Sequence, residues 1–509
     1  MTDAFQKRTI LALFIVLTSL LVRKLLQTRQ KGKTLPQEPP CKPAKIPLIG
    51  HAIGLFWHRT GDKWNLPIFS ISIFGGKVHI ISSPELMHPL HRQPKAASFW
   101  FFEAHFTSTL GGMSKRSSRN LAANLEPESS ETGLLVEGLK KIQFALSPQG
   151  GMLAMNRRAA EVTKSRLDGI CATSRDREVS RKVDLWAWTQ HEVTVATTEC
   201  IYGPQNPYRD REVENGFWDF ADGTIMVLLA GFLPRNGMFA SKPLAGRQKV
   251  VKAMDRYFSS GAYKDGSSLV KARYSVLKGR IDDIDLAKFE CVNGIAILAN
   301  TVPTAFWAIF HIFSDHVVLE EVRKQVEKII ETNSTTGDGV LRKIDLRRIK
   351  EAPLLFSTIQ EAMRLRATGT GPRMVMQDIH LGPENYLLKK DSVIMIANKA
   401  LHLDKEAWGE DANTFRADRF SEKTPTNAFR GFGGGVNLCP GKNFALLEIA
   451  TLVAMLVMRF DLLPEGGAWS EPGQNLENMS LQTAPPERKV VVDIVPREGL
   501  EGTEWDFVL

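Results

Sequence analysis

The stretch Phe432-Gly-Gly-Gly-Val-Asn-Leu-Cys439-Pro-Gly-Lys-Asn-Phe-Ala445 sets three glycines and a lone cysteine just ahead of an apolar helical pattern. Successive glycines let a backbone turn tightly and approach a flat partner closely. Pro440 and Gly441 lead from Cys439 into the helical run Lys442–Phe460. A thiol at a helix N-terminus feels the positive end of the dipole, which favours thiolate, the form that binds metal. Taken alone, the same residues also suit a small buried hydrophobe beside a glycine turn.

The remaining cysteines, Cys41, Cys171, Cys200 and Cys291, are scattered and form no CxxC pair. That pattern argues against a disulfide framework and against structural zinc, and it fits a reducing compartment. A net charge of +9 over 509 residues is modest. No basic stretch is interleaved with aromatics, so no nucleic-acid partner is expected.

The basic residues gather in one place. Thr9–Val22 carries no charge, Leu25 and Leu26 extend its apolar character, and Arg29, Lys31 and Lys33 follow without an acid. The run is short for a span, which needs roughly 17–25 residues, but flanking Lys and Arg can snorkel. A signal peptide has an apolar run of this length too, yet no small-residue cleavage site follows here. Residues 1–33 are therefore expected to be an uncleaved membrane anchor with a basic flank. That flank would face the cytosol, with the body of the chain on the same side. Prolines at 36, 39, 40, 43 and 47 make residues 34–50 a semi-rigid hinge.

Residues 51–509 then read as one domain, mostly α with a small β portion. Ile68–Ile81 alternates around Gly75-Gly76, a β-hairpin pattern. Asp184 is placed to cap a helix that stops at Gly203. Helical patterns also cover Cys291–Phe313, His316–Thr332, Pro353–Arg366 and Lys442–Phe460, with short strands at Ser392–Ala397 and Lys489–Ile494.

The glycine–cysteine string resembles the haem-binding signature of the cytochrome P450 family, where Phe, Gly, Cys and Gly hold fixed spacing. Glu361-Ala-Met-Arg364 lies upstream of it, and Phe415-Arg-Ala-Asp-Arg419-Phe420 lies between the two. An ExxR alone means little, since Glu178–Arg181 and Glu320–Arg323 match it as well. Its order relative to the other two motifs is what resembles the family. The resemblance implies the cytochrome P450 fold, preceded by one N-terminal transmembrane helix. It implies haem b (iron protoporphyrin IX) with Cys439 as the axial metal ligand, and Phe432, Gly435, Asn437 and Gly441 in the cofactor-binding loop. It implies a structural network of Glu361, Arg364 and Arg419, and an Arg373 paired with a haem propionate through its planar fork. A thiolate ligand on haem iron favours O–O cleavage.

Two positions depart from the family. Asn437 stands where an Arg or His usually reaches a propionate, and an amide brings no charge. No Trp-x-x-x-Arg pattern accompanies Lys140 or Lys141 to supply one. Aligning the distal helix on Trp307 puts Ala299 and Asn300 where an acid and a threonine usually relay protons. Pro303, inside that helix, is expected to kink it. The Asn300-Thr301-x-Pro303 pattern, with Phe306-Trp307 beyond, resembles the branch that holds the bile-acid-forming sterol hydroxylases and prostacyclin synthase. Asn300 and Thr301 are thus the candidate catalytic residues, with Asn300 orienting a water or the substrate over the iron. The plainer reading of Asn300 is a helix asparagine bonded to local backbone.

Two apolar stretches, Ser98–Phe102 with Phe106 and Phe217–Leu233, would suit a bulky lipophilic substrate, ordinary core or a membrane-dipping surface. The expected activity is a monooxygenase of the endoplasmic reticulum membrane, single-pass, with its catalytic domain in the cytosol and membrane lipid around its anchor. It would oxidise a terpenoid, sterol or other secondary metabolite, in the style of fungal members of the family. No GxGxxG follows a strand, so NADPH and flavins would act only through a separate membrane-bound reductase. The alternative is a haem-thiolate isomerase, dehydratase or rearranging oxidase that needs no reductase. Replacement of Cys439 by Ser is expected to abolish the thiolate-type carbon monoxide difference spectrum; a retained spectrum would assign the iron to another residue.

Overall fold

The computed structural model describes residues 38–41, 66–73, 76–125, 132–173, 181–230, 240–334, 340–421, 424–477, 481–500 and 503–509. The anchor expected over 1–33 lies outside these residues, as does most of the hinge. The described part of the hinge runs along the first strand: the Ser70 N–H donates to the Pro40 carbonyl at 2.8 Å. Lys77 closes the contact with an ion pair to Glu38 at 2.6 Å.

The hairpin pattern forms β1 (Ile68–Ile73) and β2 (Gly76–Ile81), paired antiparallel. They belong to a five-stranded sheet with β3 (Ala97–Ser98), β4 (Thr370–Val375) and β5 (Val393–Ala397), in the order β1-β2-β5-β4-β3. β5 joins β2 in parallel, which the long helical excursion between them permits. Both sheet faces are covered. Ile68, Ile81, Ile394 and Ile396 enter one apolar cluster, and Phe69, Ile71, Val78 and Ile80 enter another. Arg373 sits in β4 opposite Ile394, and the neighbouring Met374 pairs with Ser98. Ser98 in turn caps α1 (Phe99–Gly111), accepting from the Phe101 N–H at 3.4 Å. The sheet therefore carries Arg373 and the aromatic start of α1 to the same edge.

The helices provide the main core. In α2 (Leu185–Tyr202) the Asp184 carboxylate accepts from the Trp186 N–H, and Gly203 ends the helix at φ 72°. A side chain at Gly203 would come within 2.5 Å of the Asp265 carbonyl. The long apolar pattern divides into α3 (Asp283–Leu298) and α4 (Thr301–Phe313). Their combined length and apolarity would suffice to cross a membrane, but the run is mostly buried inside the protein. The break at Ala299–Asn300 lies one turn before Pro303, where the missing proline N–H leaves the Ala299 carbonyl without its helical donor. α5 (His316–Glu327), α6 (Pro353–Leu365) and α7 (Lys442–Arg459) follow. From Glu448 to Arg459 every residue of α7 is buried, as expected of a helix enclosed on all sides.

One expected helix is shorter than its pattern. The His316–Thr332 pattern is helical only to Glu327, and Ile330–Ser334 is a strand. That strand pairs antiparallel with Val340–Asp345, which also pairs in parallel with Thr503–Val508. Pairing with the nearby strand, itself held in place by 503–508, overrides a local helical periodicity that Thr332, Asn333 and Ser334 support only weakly.

Candidate functional site

Glu361 and Arg364 lie one turn apart on α6 and are both fully buried. Two guanidinium nitrogens of Arg364, Nε and Nη2, donate to the two carboxylate oxygens at 2.6 and 2.7 Å. Its third nitrogen, Nη1, reaches the carbonyls of His402 and Ala412 at 2.6 and 2.7 Å. Arg419 donates to the same carboxylate at 3.0 Å, and to the carbonyls of Trp408, Asp411 and Thr414. The structure thus brings Glu361, Arg364 and Arg419 together, and the three tie α6 to the loop over 402–419.

His402 extends this network to the glycine loop. Its Nδ1 faces the Arg364 carbonyl at 3.0 Å, and its Nε2 receives the Arg430 N–H at 2.7 Å. A carbonyl can only accept and an N–H can only donate, so these partners select the neutral tautomer with its proton on Nδ1. Burial holds the ring neutral, with its pKa down at about 3.

Beyond Arg430 the chain makes a tight cradle. The Gly433 N–H donates to the Arg430 carbonyl, and the Cys439 N–H donates to the Phe432 carbonyl at 2.9 Å. Gly433 and Gly435 have φ of 74° and 62°, a region that favours glycine. Lys442 lays its ammonium over the Phe432 ring at 5.8 Å. Gly441 lies beside the thiol, its absent Cβ 3.8 Å from Sγ.

Cys439 is open on one side, while protein encloses most of the remaining space around its sulfur. Enclosure pushes the thiol pKa up, and the N–H groups of Gly441 and Lys442 pull it down only in part. The helix start therefore acts in the expected sense but does not by itself hold a thiolate. A coordinated metal ion deprotonates such a thiol outright. Arg373 is buried, with its guanidinium 5.1 Å from the Phe99 ring and bonded to the Pro372 carbonyl. Among the described residues no acid pairs with it. A glycine-lined cradle, a thiol open on one side and a buried arginine lacking a carboxylate fit a flat, anionic, iron-bearing macrocycle. Asn437 has an amide oxygen that is buried without a donor, and its side chain brings no charge to such an anion.

From the cap of α4 inward, three polar side chains at positions i, i+4 and i+7 grip three consecutive residues of one segment distant in sequence. The Asn300 amide oxygen accepts from the Gln482 N–H at 2.7 Å. Thr304 meets the Thr483 hydroxyl at 3.2 Å, and the Trp307 indole N–H donates to the Ala484 carbonyl at 2.7 Å. From the other side, Arg366 lies over the Trp307 ring at 3.9 Å and its carbonyl receives the Ala484 N–H. Asn300 is thus bonded to backbone, as its plainer reading had it, but to backbone far away in sequence. Only its Nδ2 group remains for other partners. The Thr301 hydroxyl donates back to the Ile297 carbonyl at 3.1 Å, so its proton stays within the helix junction.

Comparison with known proteins agrees with this geometry. The family profile for Cytochrome P450 matches residues 282–491. The cytochrome P450 monooxygenase nodJ of Hypoxylon pulicicidum is 32% identical over 97% of this chain and 96% of its own length. A cytochrome P450 monooxygenase of Gibberella zeae is 27% identical over 92% of this chain and 91% of its own. The chain belongs to the cytochrome P450 family. As a P450 it is an oxidoreductase of the monooxygenase type with haem b as cofactor, and NADPH serves such enzymes through a separate reductase. Cholesterol 7-alpha-monooxygenase of Cricetulus griseus is 23% identical over 84% of this P450 and 87% of its own length.

Of the apolar stretches, Phe217 and Trp218 pack in the core, where Phe217 meets Tyr208 edge-on and the Trp218 indole donates to Thr194. Residues 231–233 lie outside the described part. Phe99 to Phe102 and Phe106 are half-buried, and of these Phe99 lies against Arg373. His402 and the 481–484 segment were not legible as site elements, because neither belongs to a motif. Trp307 served only to align the distal helix.

Replacing Glu361 with Gln leaves buried Arg364 without a counter-charge, while Arg419 keeps only the Asp411 carboxylate. It is expected to cost about 3–5 kcal/mol, read as an earlier urea midpoint with loss of bound haem. The histidine sets a pH dependence. Unfolded His402 titrates near 6.5 and the folded ring at about 3, so its contribution is complete above the unfolded pKa. That contribution is lost as pH falls toward 3, at up to about 1.4 kcal/mol per pH unit. Urea unfolding between pH 7 and 5 should show a shallower loss of stability in His402→Gln than in the parent; equal slopes would contradict the assignment.

Proposed function

We propose that this P450 inserts one oxygen atom from dioxygen into a bulky lipophilic substrate, a sterol, terpenoid or other secondary metabolite. NADPH would supply the electrons through a membrane-bound reductase. The observation that carries the reading is the Cys439 thiol standing open in a glycine cradle that a buried ion network braces from behind. Haem ligated by a thiolate supplies the activation of dioxygen for attack on a C–H bond.

Cys439 is the axial ligand on this reading, Phe432, Gly435 and Gly441 shape the loop around it, and Arg373 meets a propionate. Glu361, Arg364 and Arg419 keep the loop in place from the far side. The clamp between α4 and residues 482–484 sets the wall above the cradle and leaves the Nδ2 group of Asn300 as a donor toward it. Neither Ala299 nor the internally bonded Thr301 supplies a free acid or alcohol there. Proton delivery then falls to water held by that amide group. The aromatic start of α1, half-buried beside Arg373, provides an apolar border for the substrate. Similarity to a cholesterol 7-alpha-monooxygenase over most of the chain supports a polycyclic, sterol-like shape.

Residues 1–33 would hold the enzyme in the endoplasmic reticulum membrane as a single span, with 34–50 as hinge and 51–509 as a cytosolic catalytic domain. The test compares metabolites of the source organism with and without the gene under oxygen-18 gas. The expected result is an accumulated precursor lighter than the lost product by one oxygen, with label in the product. A precursor and product that are isomers, with no label incorporated, would overturn the proposal.

A further inference from the structure

Arg430 is 2% exposed and Arg373 is 6% exposed. Among the described residues neither meets a carboxylate. Arg430 gives its backbone N–H to His402, but its guanidinium makes one side-chain contact, Nη1 to His91 Nε2 at 3.1 Å. Its Nε is buried with no acceptor. The two guanidiniums are near enough for Arg430 to disfavour the charge on Arg373. Burial first and Arg430 second bring the Arg373 pKa down to about 10, and burial brings Arg430 to about 10 as well. His91 adds no charge, since burial, then Arg430 and Arg373, hold its pKa at about 4.

Two like charges buried together without an acid make an arrangement that folding alone disfavours, because an unpaired buried charge is costly. An anion from outside the chain resolves it. The position of the pair narrows which anion. A Cβ added at Gly434 would lie 2.1 Å from Arg430 Nη1, and one at Gly435 would lie 3.1 Å from the His91 ring. The Arg430 guanidinium and His91 therefore line the same glycine loop that presents Cys439, on the side where Arg373 stands. Asn437, at the position from which the family usually sends a cation, has no charge.

We propose that Arg430 takes over the task left by Asn437, pairing with Arg373 to hold the carboxylates of the bound haem, with His91 fixing the Arg430 fork. This rests on haem seated at Cys439. A guanidinium suits the role because two of its N–H groups can meet one carboxylate side by side.

The test uses the full-length holoenzyme and measures haem transfer to excess apomyoglobin, together with the ferric/ferrous potential. In R430Q, haem loss is expected to accelerate about ten- to a hundredfold, the loss of one charge-assisted hydrogen bond. The potential should shift negative as a cation leaves the haem edge. In R430Q/N437R, where the cation returns from the usual position, both quantities should move back toward the parent. A thiolate-type carbon monoxide spectrum in every variant shows that haem and axial ligand are in place. A null result then counts against Arg430 and not against the haem site. Parental haem loss and potential in R430Q would overturn the proposal. So would changes that N437R leaves uncorrected, which would mark Arg430 as a structural support only. Should R430Q not accumulate, R430K decides: it retains charge but not the fork, and haem loss no faster than the parent's would overturn the proposal.

Discussion

A carboxylate buried with two guanidiniums constrains everything behind the cysteine loop. Glu361 has no access to water, so its charge is tolerable only if every lone pair finds a donor. Arg364 and Arg419 satisfy it and then have nitrogens of their own to satisfy, which they do with backbone carbonyls from residues 402, 408, 411, 412 and 414. Those carbonyls lie at the ends of two short helices, Asn398–His402 and Lys405–Trp408, and in the irregular turns that follow. The ion network thus gives an irregular segment the fixed geometry that helices obtain from their own hydrogen bonds. His402 passes that geometry on, bonded to α6 through one ring nitrogen and to the start of the glycine loop through the other.

The break between α3 and α4 is held by a different device. Pro303 removes one helical hydrogen bond and the junction of α3 and α4 opens at Ala299–Asn300. Opening a buried helix would strand polar groups, and here they find partners in the segment at 482–484 and in the Thr301 and Thr304 hydroxyls. Side chains at i, i+4 and i+7 share one face of the helix, so each reaches one residue of the 482–484 segment in turn. The proline, the asparagine and the tryptophan therefore act as one unit. Asn300, which stands where the resemblance expects a threonine, thus anchors a distant stretch of backbone.

Most of the regular structure was legible in the chain. The β1–β2 hairpin, the Asp184 cap with its Gly203 stop, α6 and α7 all follow from local periodicity and capping chemistry, and each appears where the residues place it. The strand at Ile330–Ser334 was not legible, because its partner at 340–345 is itself held by the distant 503–508 strand, and that sheet outweighs a helical local pattern. For Phe217 and Trp218 the sequence left substrate border, core and membrane-dipping surface open, and the structure makes them core, since apolarity alone does not say which side of a helix meets solvent.

For the site the division is similar. The cysteine, its glycines, the ExxR pair and Arg419 could be picked from the chain because they sit in motifs whose order carries meaning. By itself the sequence determined the family resemblance, the ligand loop, and the two departures at Asn437 and Ala299–Asn300. Only the tertiary structure decided what those departures connect to. Arg430 and His91 meet across 339 positions of chain, and Asn300 and Gln482 across 182. No local pattern records such a pairing, because whether a buried charge or amide has a partner depends on which distant backbone the fold brings beside it.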